Sequence, residues 1–355
     1  MIRYVNRNLS SSRNRAQKKL WLEAKLVKPG QVLARAGFSE LMTDRRSTIA
    51  YLVMAHAIND QLKLLIDSLL SDPRARLYIH IDAKVTDIGR LPADADQVKV
   101  LTDRTIVNWG GFSVVEATLA LLNVALLDKE NERFVLLSGS CFPLRDPVTV
   151  GDAILAQDKP SFAVWGRIDP SLAENENLGR YVVTKYHPFD IQKINPKNNG
   201  VNAFLWNIFK IINNKAPYER KIEIDDLWKG SQFFLIQRDI AISFVKPCKK
   251  LVHALRFAMA PDEIFFTTLY VRWAKQRNIP VSLTDPKTEN QNIHYIRKRN
   301  SRSRPLLHRL FVPIDLRILD RKDIDAAVES GALFARKCSF EVSQKIKSFW
   351  NDKAA

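Results

Sequence analysis

Cysteine is scarce in this 355-residue chain: Cys141, Cys248 and Cys338 are the only three, and they lie far apart. An odd, scattered set is no disulfide framework, and without a CxxC pair there is no zinc clamp. Long apolar runs are missing too. No stretch reaches the ~18–20 residues that crossing a bilayer takes, and the basic N-terminus lacks the apolar core of a secretory signal. These absences predict a cytoplasmic chain, with any membrane contact peripheral, at the inner membrane. The twelve glycines form neither GxGxxG nor GxxxxGK[ST], which excludes the two common Gly-rich phosphate loops. Ser138-Gly139-Ser140 lacks the flanking glycines of a nucleophile elbow, and the histidines do not cluster at zinc spacing.

What the chain has in excess is positive charge, a formal net of +17. Residues 1–46 hold eleven Lys/Arg against three acidic residues, a net of +8, and a second basic run extends from Arg297 through Arg309. Such a surface can meet nucleic acid, an anionic bilayer or a diphosphate, or it can simply be solvated. A noncatalytic nucleic-acid- or membrane-surface-binding protein is therefore one reading. Hydrophobic content of 46% with 26% charged residues is that of a folded globular chain.

Three parts are expected: a basic arm over residues 1–46, one domain over 47–340, and a helical tail over 341–355. Thr48–Met54 (TIAYLVM) reads as a buried strand. Asn59-Asp60 then caps a helix with Leu62, Leu65, Ile66, Leu69 and Leu70 at helical spacing. Arg76–Asp82 (RLYIHID) alternates as a second strand. Strand, helix and strand in about 35 residues make a βαβ unit and predict a parallel sheet. Gln97–Leu101, Arg133–Leu137, Ser161–Trp165 and Gln232–Ile236 add strands; Val114–Leu127 and Ile264–Ala274 add helices. Residues 170–225, rich in Asn, Lys and aromatics, read as an excursion from the sheet. The fold class is α/β, an open and mostly parallel sheet with helices on both faces, whose ligands bind at the C-terminal ends of the strands.

Several residues carry candidate chemistry, each with a plainer role beside it. His56 and Asp82 end adjacent strands, where a nucleotide would dock; Asp82 could equally cap the following turn. Asp262-Glu263 follow a proline and open a helix. They serve either as partners of the helix dipole or as carboxylates at the sheet rim that take a proton from a hydroxyl. Lys337 can neutralise a diphosphate or snorkel at the surface. The pairs Asp94/Asp96 and Asp323/Asp325 look like turns or caps rather than metal ligands.

Seven blocks in order resemble the core-2/I-branching glycosyltransferase family, which includes the peptide O-xylosyltransferases. They are IAYLVMAH (Ile49–His56), LYIHIDAK (Leu77–Lys84), VNWGG (Val107–Gly111), FVLLSGSCFPL (Phe134–Leu144), GSQFF (Gly230–Phe234), PDEIFFT (Pro261–Thr267) and LFARK (Leu333–Lys337). The resemblance implies a GT-A-type fold and an inverting transfer from a UDP-sugar, GlcNAc or xylose, to an acceptor hydroxyl. It implies Glu263 as base and Ala55, His56, Asp82 and Lys337 at the donor, with Arg317 a further diphosphate contact. Trp109, Trp228, Ser231 and Asp262 fall at pocket positions. The expected acceptor is a glycan, a lipid-linked glycan or a protein; no metal cofactor and no nucleic acid are expected. Anchor and disulfides of Golgi members are missing, which makes the resemblance that of a bacterial-type relative. Cys338 also stands where Phe is common after the FARK block.

Overall fold

The computed structural model describes residues 47–89, 91, 96–169, 181–187, 189–191, 195, 200–215, 219–222, 224, 226–297 and 318–352. The expected arm over 1–46, Asp94, Arg317 and the basic run beyond Arg297 lie outside them.

The chain opens with β1 (Thr48–Ala55), buried along almost its whole length. A strand without a polar face belongs in the middle of a sheet covered on both sides. Then comes α1 (Asp60–Leu69), whose first turn is capped where the Asn59 side chain accepts from the Leu62 N–H at 3.0 Å. The series continues with β2 (Ala75–Ile81), β3 (Val98–Val100), α2 (Ser113–Ala125), β4 (Asn131–Ser138), β5 (Cys141–Pro143), α3 (Pro147–Leu155) and β6 (Ser161–Arg167). The later elements are α4 (Tyr181–Thr184), α5 (Gly200–Lys215), β7 (Trp228–Gln237), α6 (Arg238–Phe244), α7 (Lys249–Leu255) and α8 (Asp262–Lys275). They end with β8 (Asn290–Gln291), β9 (His294–Ile296), α9 (Asp323–Glu329), β10 (Phe334–Arg336) and α10 (Phe340–Asp352).

The main sheet has six strands in the order β3-β2-β1-β4-β7-β6. The first four run parallel; β7 alone is reversed, antiparallel to both β4 and β6. This is the expected open, mostly parallel α/β sheet of GT-A-like kind. Each predicted strand and helix is present, with ends shifted by a few residues. The reversal of β7 has a consequence for the site: its first residues lie at the same edge of the sheet as the last residues of β1, β2 and β4. Helix α8 lies along β7, and rings from both join one cluster in which Phe234, Phe244, Phe266, Phe162 and Tyr270 touch.

A second sheet, in the order β5-β10-β9-β8, was not foreseen. Its strands are two or three residues long, too short to show any alternation. Here β10 lies between β5 and β9, so the LFARK block is an interior strand. The closing helix α10 packs onto this sheet: Val342 and Ile346 are buried in the core and the Trp350 ring stacks on Phe142 at 5.4 Å. Among the described residues no helix is long and apolar enough to cross a membrane. All three cysteines are free.

Candidate active site

The C-terminal ends of β1 and β2 are tied together where the Ala55 carbonyl accepts from the Asp82 N–H at 2.8 Å. Asp82 is buried, and its Oδ1 accepts from the N–H groups of Lys84 (2.9 Å) and Val107 (3.3 Å), while Lys84 Nζ sits 3.3 Å from its other oxygen. It therefore caps the turn after its strand, and it also fastens the start of the VNWGG block to the sheet. Beside it His56 reaches solvent. Desolvation and then the charge of Lys337 push the His56 pKa down; Arg336 and Lys84 add to the effect and Asp82 opposes it. The fields on this one imidazole show that the ends of β1, β2 and β10 converge.

Strand β10 delivers the two cations of the LFARK block. Arg336 Nε donates to Ser138 Oγ, at the end of β4, at 3.1 Å, and its guanidinium lies 4.7 Å from the centre of the Phe233 ring on β7. The carbonyl of Lys337 accepts from the Leu319 N–H at 2.8 Å. Two positive side chains in sequence thus stand over the C-terminal edge of the sheet, where a diphosphate can be neutralised.

Glu263 stands further along the same edge. Pro261 opens α8 with φ −65°, a value its ring already imposes. This puts Asp262 and Glu263 in the first turn, where the N–H groups of the helix favour negative charge. The Glu263 carboxylate remains 29% exposed, and one oxygen is 3.2 Å from Lys229 Nζ, whose side chain is only 3% exposed. The neighbouring Asp262 is buried, and its pKa is pushed up to about 7, first by burial and then by the charge of Glu263. The two adjacent carboxyls thus lie in different settings: Glu263 faces solvent against a lysine, and Asp262 is buried. A solvent-facing carboxylate on a rim is the group that can accept a proton from a hydroxyl.

The VNWGG block forms the wall beside this carboxylate. The Gly110 carbonyl accepts from the Ala260 N–H at 3.3 Å, just before the PDE block, and Phe112 meets Phe265 of α8 edge-on at 6.0 Å. Gly110 has φ +74°, a conformation that glycine adopts without strain. Gly111 is needed for space, since a Cβ there would fall 2.1 Å from Asp190 Oδ1. Asp190 caps α2 by accepting from the N–H groups of Phe112 and Ser113 and from the Ser113 hydroxyl. The Trp109 ring is exposed, with its edge to Phe189 at 5.5 Å.

Ser231 is buried in β7 and its hydroxyl accepts from the Phe233 N–H. Trp228 faces elsewhere. Its indole donates to Asp226 at 2.8 Å and lies under Lys275, 5.1 Å away at the last residue of α8. Twelve residues of helix, about 18 Å, separate that position from Glu263. Asp323 serves a helix start, accepting from the Asp320 N–H and pairing with Arg297 at 3.3 Å. Among the described residues no group of three or more His, Cys, Asp or Glu side chains could hold a metal ion.

Both ends of the site meet along β7. Lys229 holds Glu263 and Phe233 underlies Arg336, and these two positions are four residues apart, about 13 Å of strand. Sequence reasoning missed Lys229 and gave Arg336 no role of its own beside Lys337. Lys229 stands immediately before the GSQFF block, but a lysine beginning a strand reads as solvated; only the reversed direction of β7 brings it to Glu263.

The sequence model described as core-2/I-branching enzyme matches residues 49–325. No curated protein matches the sequence. A solved structure, the 4-diphosphocytidyl-2C-methyl-D-erythritol synthase from Anaerococcus prevotii DSM 20548, is 11% identical. That match covers 80% of this chain and 98% of that one, at a TM-score of 0.34, which is too low to carry an argument.

Proposed function

The chain belongs to the core-2/I-branching enzyme family, a family of glycosyltransferases, and we propose that it inverts the anomeric carbon of a UDP-sugar, UDP-GlcNAc or UDP-xylose. The acceptor is a hydroxyl of a glycan, a lipid-linked glycan or a protein. Glu263 takes the hydroxyl proton as the acceptor oxygen bonds to C1. The bond from C1 to the β-phosphate oxygen breaks in the same step, and UDP departs with the electron pair. Lys337 and Arg336 stabilise the charge on the departing diphosphate, a task a metal ion performs elsewhere. Asp82, Ala55 and His56 border the nucleotide; Trp109 offers an exposed ring to a sugar.

Lys229 gives Glu263 a fixed direction. It is a positioning residue, since it touches the base and lies below the surface. The observation that carries the reading is the shared edge: a rim carboxylate and a cationic pair, tethered by Lys229 and Phe233, four residues apart on one strand. Holding two substrates in line there supplies much of the remaining acceleration.

UDP should raise the melting temperature, and should still do so in EDTA. Glu263→Gln should cut turnover by at least about 100-fold with that UDP shift preserved. Turnover within a few-fold of the parent would rule out Glu263 as the base; activity lost in EDTA and restored by manganese would rule out the metal-free mechanism.

A further inference from the structure

Helix α5 is built inside out. At 100° per residue, Val201, Leu205, Ile208 and Ile212 fall within a sector of about 60°. With Ile211 they are between 40% and 66% exposed. The protein side of the helix carries Asn202, Trp206, Phe209 and Asn213 instead. Asn202 and Asn213 are buried; Asn202 Nδ2 donates to the Asn195 carbonyl at 3.2 Å and Asn213 Nδ2 to the Tyr186 carbonyl at 3.0 Å. Trp206 packs 4.4 Å from Phe189 and 5.2 Å from Phe209. These bonds fix the rotation of the helix, because turning the aliphatic stripe inward would strand two buried amides. A five-residue aliphatic stripe held toward the outside is a surface made for contact.

The charge around it selects the partner. The α5 sequence holds Lys210 and Lys215 and no acidic residue, and residues 185–221 hold seven Lys/Arg, of which Lys185 is buried, against Asp190 and Glu219, a net of +5 along the sequence. A second copy of the chain would set like charges against each other. An anionic lipid surface offers acyl chains to the stripe and negative headgroups to its basic surroundings. We propose that α5 is an interfacial helix that docks this protein on an anionic bilayer.

The place of the helix gives the docking a use. Its inner ring Trp206 leads through Phe189 to Trp109, whose loop is bonded at Gly110 to the residue before the PDE block. If the transferase reading above holds, docking brings the acceptor side of the site to the membrane, where a lipid-linked hydroxyl would be presented.

The test is sedimentation of the full chain with phosphatidylglycerol-containing vesicles and with pure phosphatidylcholine vesicles. The parent should bind the first much more tightly. Ile208→Glu with Ile212→Glu should weaken that binding at least about tenfold, while Ile208→Leu with Ile212→Leu retains it. The changed side chains are exposed, and an unaltered circular dichroism spectrum and melting temperature would show that the fold persists. A parent that ignores the anionic vesicles would overturn the proposal. So would a glutamate variant that binds them as well as the parent does, or a parent dimer that this variant dissociates. The UDP-induced melting shift is read on the same samples, so failure of docking is distinguishable from failure of the transferase reading.

Discussion

Asp262 gives the fold a dependence on pH that can be measured without any substrate. Its carboxyl is buried beside Glu263, and its pKa rises from 3.8 to about 7. Below pH ~4 both folded and unfolded chains carry the proton at this position. Between about 4 and 7 the folded chain holds a proton that the unfolded chain has released, so stability falls as pH rises. The slope is about 1.4 kcal/mol per pH unit, on the order of 4 kcal/mol over the window, and it flattens above pH ~7. Asp262→Asn removes the titration while keeping the size of the side chain. Its absolute stability will also reflect new amide contacts, but that offset does not vary with pH. Chemical unfolding of parent and variant should be measured from pH ~4 to ~8.5. The stability of the variant minus that of the parent should grow by a few kcal/mol across the window and then level off. A difference that stays flat within about 1 kcal/mol would refute the reasoning, because Asp262 would then be ionised in the folded protein throughout, its charge met by Lys229 and the first turn of α8.

Lys229→Met should lower kcat at least about tenfold, by releasing the Glu263 carboxylate from its ion pair and so from its fixed position, and leave the UDP-induced melting shift unchanged; steady-state kinetics beside thermal shift separate the two. Lys337→Ala should instead diminish the UDP shift and raise the donor KM, with the melting temperature of the free protein nearly unaltered. Gly111→Ala should destabilise the fold by about 1–2 kcal/mol, the worth of a helix cap, by displacing Asp190 from α2. Asp190→Ala should cost about as much, and unfolding of the double variant should show little further loss.

Much of this architecture was legible because the core strands repeat simple patterns. Thr48–Ala55 is apolar throughout and lies in mid-sheet, and Asn59 caps its helix as its type and place predict. Glu263 could be placed in a first helical turn, and Lys337 in the LFARK block. Their meeting was less accessible, since it depends on β7 running against its neighbours. Had β7 been parallel, Lys229 would sit at the opposite edge of the sheet. The part of Arg336 was hidden for a similar reason: its partners Ser138 and Phe233 are distant in sequence and are reached through β10, a strand of three residues. Helix α5 was hidden by its composition. Its stripe has the right period, but asparagines and aromatics on the other face resemble a loop until their hydrogen bonds are seen.

The position of β10 sets the order in which this molecule can become competent during synthesis. Three residues near the end of the chain slot between two strands made earlier, and α10 then closes over them through Trp350 and Phe142. A growing polypeptide can assemble the large sheet and present Glu263 well before Lys337 has left the ribosome. Until β10 emerges, Arg336 and Lys337 are missing from the edge of the sheet, so on the proposed reading an unfinished chain lacks the charges that meet the diphosphate. A premature stop shortly before Phe334 would leave the strands of the main sheet and Glu263 in the chain and remove both cations together with the interior strand of the small sheet.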